Sequence, residues 1–341
     1  SRSTVRTAML ELVNEGILKR VPGKGTFIRD HPNALVFASW LSEEVWTAPA
    51  LHLLIQGFMD QERVSVKSIA MPYEKIEQQL MVLATGGRAP DVASLIYLWI
   101  PDFAYHGALS PVDEQYSYEL RQDLYPQALS AVTYQDRLYA VNWGSAPNIL
   151  YFNRRLIDEY AGGSSATNLE YYDGMLETCV KIHERSGGAV IPFSIAILED
   201  ELFFLNSIYH FLHSFGGGLL SPSQEVIFNS EENIKAFTWL RQFIRRGHID
   251  TTNSFNRNRE LFADNRIAFL IEGPWMRRII PALHADNEAT IQDIGYSIMP
   301  KGPKNVSCSV LWNHTLAVFK QCKDKDLAAD FIRYLVLNQQ A

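Results

Sequence analysis

The sequence predicts an α/β fold that is built from more than one folding unit and starts with a short basic segment. The chain has 341 residues, which is more than one hydrophobic core usually serves. Strand-like and helix-like patterns alternate along its body, as in a parallel sheet covered by helices. Residues 1–29 hold six cations and two anions, a net charge of +4, whereas the remainder carries a net charge of −11. A polyanion is therefore a candidate partner for the first segment alone.

The first predicted element is a helix that begins at Ser1 or Ser3 and stops at Gly16. Its apolar residues recur at helical spacing and define one face, formed by Val5, Ala8, Met9, Leu12 and Val13. The stretch "ILKRVPGKGTFI" then predicts a hairpin of two short strands with a glycine-rich, cationic tip. Residues 30–33, "DHPN", follow neither the helical nor the strand periodicity and are predicted to be a linker.

The body of the chain begins with alternating strand and helix patterns. "ALVFASWL" predicts a buried strand, and a helical pattern follows between Glu43 and Arg63. "RVSVKSIAM" predicts a second strand, and "YEKIEQQLMVLATGG" an amphipathic helix that ends at Gly86 and Gly87. This order favours a parallel sheet, whose ligands sit beyond the carboxyl ends of the strands.

Three motifs occur in order in the basic segment. They are Ser-Arg-Ser-Thr-Val-Arg-x-Ala-x-x-x-Leu, then Glu-Gly-Ile-Leu, then Gly-x-Gly-Thr-Phe. Together they resemble the recognition helix and wing of the GntR family of winged helix-turn-helix regulators, without the helices that precede them in that family. The resemblance implies DNA contacts by Arg2, Ser3, Thr4, Arg6, Lys24 and Gly25. The alternative is a solvated basic terminus.

A second set of motifs runs from about residue 34 to the end. In order, it includes "QQLMVLATGGRAPDV", "DRLYAVNWGSAPNILYFNRRLID", "SFGGGLLSP", "LFADNRIAFLIEGPWM", "IMPKGP" and "TLAVFKQCKDKDLAADFIRYL". The set resembles the family 1 extracellular solute-binding proteins, the maltodextrin-binding-protein-like group. The resemblance implies a two-lobed periplasmic-binding-protein-like (type II) fold, preceded by a partial winged helix-turn-helix, with hinge closure on a ligand. The expected domains are residues 1–29 (partial winged helix), 30–33 (linker), 34–141 plus 300–341 (lobe 1) and 144–297 (lobe 2).

Aromatic and polar residues near strand ends are the candidate ligand contacts. A sugar offers its C–H face to flat rings and its hydroxyls to planar polar groups. Trp275 in "EGPWM" is the first candidate, because it matches a family position whose ring stacks on sugar. The other candidates are Trp40, Ser94, Tyr97, Trp99, Asn142, Trp143, Asn206, Trp312 and Asn313. For each ring the alternative is core packing.

Catalytic and metal-binding signatures are missing from the sequence. It has no Walker loop, no G-x-G-x-x-G after a strand, no G-x-S-x-G and no H-E-x-x-H. His210 and His213 have a spacing that suits a metal but lack a third ligand nearby. The simplest interpretation of "LEDEL" is a cluster of charges at the start of a helix. We therefore expect a non-enzyme with no cofactor, no metal and no membrane segment; a glycosidase remains a third hypothesis.

These observations favour a cytoplasmic transcriptional regulator that senses a carbohydrate, in particular an oligosaccharide. Its expected partners are operator DNA and a second copy of itself, since such modules act as dimers. The odd number of cysteines, three, suits a reducing compartment. The alternative is the substrate-binding protein of an ABC transporter for sugars, in which the basic segment resembles a winged helix by chance.

Overall fold

The computed structural model describes residues 5, 9, 18–21, 25–28, 34–44, 47–113, 124–163, 167–198, 201–221, 223, 225–283 and 292–338. The chain divides into two units: unit 1 comprises Ser1–Gly144 and Asn313–Ala341, and unit 2 comprises Ser145–Trp312. The chain thus passes between the units at 144/145 and again at 312/313. The second passage lies inside a strand, later in the chain than the break near 297–300 that the sequence suggested.

The strands are β1 (Leu18–Val21), β2 (Gly25–Ile28), β3 (Ala34–Ser39), β4 (Ser65–Ala70), β5 (Val92–Ile96), β6 (Thr133–Tyr134), β7 (Arg137–Leu138), β8 (Val141–Pro147), β9 (Ile149–Asn153), β10 (Ile191–Ser194), β11 (Ile249–Asp250), β12 (Ile267–Glu272), β13 (Ile294–Ser297) and β14 (Leu311–Val318). The helices are α1 (Ala48–Glu62), α2 (Tyr73–Thr85), α3 (Ile100–Tyr105), α4 (Pro126–Ser130), α5 (Arg154–Ala161), α6 (Tyr172–Ser186), α7 (Glu201–Ser214), α8 (Glu231–Arg245), α9 (Phe255–Ala263), α10 (Met276–Leu283) and α11 (Lys325–Leu337). Among the described residues, no helix is both long and apolar enough to span a membrane.

The sheet of unit 1 has the strand order β4-β3-β5-β14-β8. Strand β3 pairs in parallel with β4 and β5, which confirms the parallel arrangement predicted from the alternating patterns. Helix α1 (Ala48–Glu62) lies within the segment between Glu43 and Arg63 where a helical pattern was predicted, and Pro49 occupies its first turn, a position that suits proline. Helix α2 ends at Gly86 as predicted. The α/β class of the fold is therefore confirmed.

The core of unit 1 packs α1 and α11 against β3. The ring of Phe37 lies 5.3 Å from that of Phe331 on α11, and Phe331 lies 5.1 Å from Phe58 on α1. Asp91, just before β5, accepts a hydrogen bond from the backbone N–H of Val36 at 2.8 Å. This contact agrees with a structural rather than a ligand-binding role for Asp91.

The sheet of unit 2 has the order β11-β10-β12-β9-β13. Strand β10 pairs in parallel with β11 and β12, whereas β9 runs antiparallel to β12 and β13. The pairing of Ser194 with Leu270 places the carboxyl ends of β10 and β12 side by side. In a parallel arrangement this edge is where ligands bind.

The basic segment is described only in part. Strands β1 and β2 pair antiparallel, so the predicted hairpin is confirmed, with Gly25 as the first residue of β2. Val5 is helical but 62% exposed, so the predicted apolar face is not buried at this position. The remaining proposed DNA contacts lie outside the described residues: Arg2, Ser3, Thr4, Arg6 and Lys24.

Candidate functional site

A small polar cavity lies in unit 2 at the carboxyl ends of β10 and β12. Its volume is about 20 Å³, which is enough for about one water molecule. Its lining consists of Asn148, Ser194, Ile195, Ala196, Asn206, Ser207, His210, Phe255, Asn258, Leu270, Ile271 and Glu272. The sequence-predicted residue Asn206 is thus brought together with polar side chains from four other parts of unit 2.

Helix α7 supplies the polar wall of the cavity through Asn206, Ser207 and His210, which lie within about one turn. His210 is only 1% exposed, and burial lowers the pKa of its imidazole to about 4, against a smaller opposing effect of the Ser207 carbonyl. The ring is therefore neutral at neutral pH. Its Nδ1 atom has no hydrogen-bond partner among the described residues.

Glu272, the last residue of β12, also lines the cavity and is 2% exposed. Its Oε2 atom accepts hydrogen bonds from Trp275 Nε1 at 2.7 Å and from the backbone N–H of Gly273 at 3.1 Å. Its Oε1 atom accepts from Arg259 Nε at 2.6 Å. Both carboxylate oxygens are thus engaged, and the negative charge is balanced by the guanidinium.

The indole of Trp275 lies three residues after Glu272 in the chain and is partly exposed. Its ring lies against the backbone of Gly273, where a Cβ would collide with it. The largely buried ring of Trp312 meets it edge-on, with centroids 6.4 Å apart and an angle of 82° between the planes. Two of the predicted ligand residues are therefore neighbours in unit 2.

Unit 1 holds a separate aromatic cluster formed by Trp40, Tyr73, Trp99 and His314. The ring centroid of Trp40 lies 5.6 Å from Tyr73, 6.2 Å from Trp99 and 5.4 Å from His314. Trp40 and Trp99 are only 2% and 5% exposed, so these predicted ligand residues offer little surface. Burial among the rings also lowers the pKa of His314 to about 4.

The remaining predicted residues belong to unit 1 and differ in exposure. Ser94 is fully buried and donates a hydrogen bond to Ser39 Oγ at 2.7 Å. Asn142 is buried and donates from Nδ2 to the Ala128 carbonyl at 2.9 Å. Asn313 is also buried, whereas Tyr97 and Trp143 are partly exposed.

The metal and carboxylate candidates are not assembled into a site. The part of the chain that the structure describes contains no group of three potential metal ligands. His213 packs on the Tyr209 ring at 4.3 Å, while Glu201 opens α7. Glu199 and Asp200 lie outside the described residues.

Sequence reasoning missed several residues of these clusters. Glu272 had a usable signal, because a carboxylate that ends a predicted strand and precedes "GPW" lies where ligands bind. His210 was considered only as a metal ligand, although it lies one turn from Asn206. The other missed residues have no local signal, because tertiary packing brings them to the cavity, to Glu272 or to the ring cluster: Tyr73, Asn148, Asn258, Arg259 and His314.

Comparison with known proteins places most of the chain in one family. Residues 54–341 match the family described as bacterial extracellular solute-binding protein. The chain is 23% identical over 204 residues to the maltotriose-binding protein of Pyrococcus abyssi, covering 59% of this chain and 41% of that protein. It is 23% identical over 297 residues to the galactooligosaccharide-binding protein of Bacillus subtilis, covering 82% of this chain and 64% of that protein. The chain thus spans less than two thirds of the length of both relatives.

Solved structures of solute-binding proteins share the fold. An ABC transporter solute-binding protein from Thermotoga lettingae, bound with α-D-tagatose, superposes with a TM-score of 0.76 at 22% identity. The GacH receptor of Streptomyces glaucescens, solved unliganded and with acarbose, gives a TM-score of 0.74 at 22% identity. Each alignment covers 89% of this chain and 76% of the other. The expected two-lobed periplasmic-binding-protein-like fold is therefore confirmed.

These matches overturn the regulator hypothesis. A cytoplasmic, DNA-binding transcriptional regulator is wrong, because the matched family is one of extracellular solute-binding proteins and both curated relatives are named as binding proteins for oligosaccharides. The comparisons give no support for a GntR-like winged helix, for operator DNA as a partner or for a homodimer. The cysteine count was too weak an argument for a cytoplasmic location, because free cysteines also occur in extracellular proteins.

Proposed function

Because the chain belongs to the family of bacterial extracellular solute-binding proteins, we propose that it binds a carbohydrate, in particular an oligosaccharide, as the substrate-binding protein of an ABC transporter. The names of its relatives support this class of ligand: one curated relative binds maltotriose and another galactooligosaccharides by name. The alternative that the sequence left open is therefore the better interpretation.

The observation that carries the proposal is the arrangement of Trp275 beside the polar cavity of unit 2. The indole is partly exposed and is held by a buried carboxylate at the end of a parallel strand. Such a ring offers a flat apolar face to the C–H side of a pyranose. Asn206, which is buried at the cavity wall, offers an amide that both donates to and accepts from a hydroxyl.

The charges at the cavity favour a neutral ligand. The carboxylate of Glu272 is engaged with Arg259, and the imidazole of His210 is uncharged because its pKa lies near 4. The remaining polar groups that line the cavity are neutral amides and hydroxyls, which match sugar hydroxyls and supply no positive charge to balance a phosphate or a carboxylate. We propose Trp275 as the stacking residue and Asn206 as a hydroxyl contact. Trp312 supports the ring.

The proposed ligand contacts in unit 1 form a second group. The partly exposed rings of Tyr97 and Trp143 are the better candidates for sugar contact, because both retain accessible surface. Trp40 and Trp99 would contribute an edge at most, and Ser94, Asn142 and Asn313 would act by shaping the backbone around them.

The test is a thermal-shift and calorimetric screen of the protein against maltose, maltotriose and galactooligosaccharides. Gluconate and glucose 6-phosphate serve as charged counterparts. A ligand that binds only the folded state raises its stability by about 2.7 kcal/mol at a hundredfold excess over Kd. We expect stabilisation by a neutral oligosaccharide and none by the charged compounds. Cooperative melting with no shift from any sugar would contradict the proposal.

Trp275→Ala should weaken the binding of the sugar identified in this screen. Loss of a stacking ring costs about 1–1.5 kcal/mol, so we expect Kd to rise by about tenfold. Trp275→Phe should retain part of the affinity, because it keeps a ring but loses the indole N–H. Tyr105→Ala removes a ring that is 71% exposed in unit 1 and serves as the control. Equal sugar affinities of the wild type and Trp275→Ala would show that Trp275 does not contribute to sugar binding.

A further inference from the structure

Glu272 connects three elements around the indole of Trp275. Its two carboxylate oxygens receive the Trp275 Nε1–H, the Gly273 N–H and the Arg259 Nε–H at 2.6–3.1 Å. The side chain is almost completely buried, so it has little surface of its own for a ligand. We propose that Glu272 is a positioning residue for sugar binding: it fixes the plane of the Trp275 ring and is itself fixed by Arg259. This inference rests on the proposed function of Trp275.

The hydrogen bond to Nε1 determines the ring orientation for a geometric reason. A tryptophan side chain turns about two torsions and carries one polar atom, so fixing Cβ and Nε1 together leaves the ring plane with little freedom. The backbone of Gly273 lies directly against the ring and removes further freedom, since even a Cβ at this position would overlap the indole. The ring nevertheless keeps accessible surface, which a stacking contact requires.

Arg259 holds the carboxylate from the side of α9. Its guanidinium carbon lies 5.2 Å from the centre of the Phe255 ring, and Nη1 donates to Asn256 Oδ1 at 3.3 Å. The guanidinium is therefore positioned by its own helix. Hydrogen bonds between charged groups are about twice as strong as neutral ones, so the link from α9 through Glu272 to Trp275 is stable without ligand. Such preorganisation lowers the entropy cost of binding.

The first test is a double-mutant cycle in the affinity for maltotriose, measured by calorimetry. If Glu272 acts through the indole, Glu272→Ala weakens binding by about tenfold in the wild-type background and has no further effect in a Trp275→Ala background. Glu272→Gln keeps an acceptor for the indole N–H and should give a smaller loss. Equal losses in both backgrounds would overturn the proposal, because Glu272 would then act independently of Trp275.

Glu260→Ala provides a matched control on the same helix as Arg259. Glu260 also pairs with an arginine, at 2.8 Å from Arg257 Nη1, but about half of each side chain is exposed. Its loss removes one carboxylate and one ion pair without touching the indole. Affinity for maltotriose should be unchanged, which would separate positioning from a general effect of charge.

The second test measures the NMR signal of the Trp275 indole N–H in the absence of ligand. The seven tryptophans give separate indole N–H signals in a ¹⁵N-labelled protein, and Trp275→Phe identifies the signal of Trp275. In Glu272→Ala this signal should move upfield and exchange faster with solvent, whereas Glu260→Ala should leave it unchanged. An unchanged Trp275 signal in Glu272→Ala would overturn the proposal.

The two tests also separate this inference from the proposed function. If the wild type binds no sugar, the proposed function fails, while the indole signal still decides whether Glu272 holds the ring. Thermal melting checks that each variant is folded. If Glu272→Ala does not fold, Glu272→Gln takes its place in both experiments, with the same criteria applied to a smaller change.

Discussion

The buried histidine of the cavity predicts that unit 2 loses stability in mild acid. The folded protein binds the His210 proton only below about pH 4, whereas an unperturbed histidine has a pKa of 6.5. Between these values the unfolded chain binds more protons than the folded one, so the free energy of unfolding falls as the pH decreases. The contribution of His210 is complete above about pH 7 and is lost on the way to pH 4.

The size of the effect follows from this difference in pKa. Linkage over the two values gives a loss of about 2 kcal/mol at pH 5 and about 3 kcal/mol at pH 4, relative to pH 7.5. The full effect applies because His210 is 1% exposed and has little solvent to screen a charge. His210→Gln should therefore remove about 2 kcal/mol of the change in unfolding free energy between pH 7.5 and pH 5.

The assay combines urea unfolding at these two pH values with an NMR titration of the imidazole. His314 contributes a similar dependence in unit 1, so the informative quantity is the difference between the wild type and His210→Gln. His52→Gln, which replaces an exposed histidine in unit 1, serves as the matched control. A His210 pKa near 6.5, or an unchanged pH dependence in His210→Gln, would refute the reasoning.

Three further predictions concern the framework of the two units, each checked by urea or thermal unfolding. Asp91→Ala should cost about 1–2 kcal/mol, because the Val36 N–H loses its acceptor; a wild-type stability would show that water replaces the carboxylate. Asn233→Ala should lower the free energy of unfolding by about 2–3 kcal/mol, because the Asn233 amide forms hydrogen bonds with both the N–H and the carbonyl of Gly218, in the loop before α8; a decrease under 0.5 kcal/mol would contradict this. Gly302→Ala should cost about 1–3 kcal/mol, because its Cβ would meet the Ser214 backbone, whereas Gly144→Ala, with open space around it, should be neutral.

The elements that sequence reasoning predicted well are those with local signals. The run "ALVFASWL" is continuous and apolar because β3 is an inner strand whose residues 37–39 are buried on both faces of the sheet, and Gly86 caps α2 where the chain turns. The hairpin of β1 and β2 was equally visible from its glycine-rich tip. In each case the residues that define the element are contiguous.

The sequence revealed the residues of the candidate site only where they are close together in the chain. Trp275 stands in a short motif, and its partner Glu272 is three residues earlier, so both could be found from one stretch of sequence. His314, by contrast, packs on Trp40 from the far end of the chain. Contacts of this kind follow from the order of strands in the sheet, which alternating patterns do not determine.

The error about function has a physical origin. A net charge of +4 and a cationic hairpin are compatible with a DNA-binding segment, but they are equally compatible with a solvated terminus. Phosphate contacts give affinity without sequence information, so charge alone never identifies an operator-binding protein. The family match covers residues 54–341, outside the basic segment, and it carries the functional information.

The aromatic residues of the two units differ in how much surface they leave accessible to a ligand. Trp40 and Trp99 meet other rings by their edges and faces and keep almost no accessible surface, so their contribution is the burial of apolar area in unit 1. Trp275 keeps accessible surface, and its indole N–H already donates a hydrogen bond to the carboxylate of Glu272, so it needs no acceptor from a ligand. A ring that is both anchored at its N–H and open on its surface gains nothing for folding from that open area. We propose that a sugar ligand covers this open area, and the loss of affinity in Trp275→Ala measures this contribution directly.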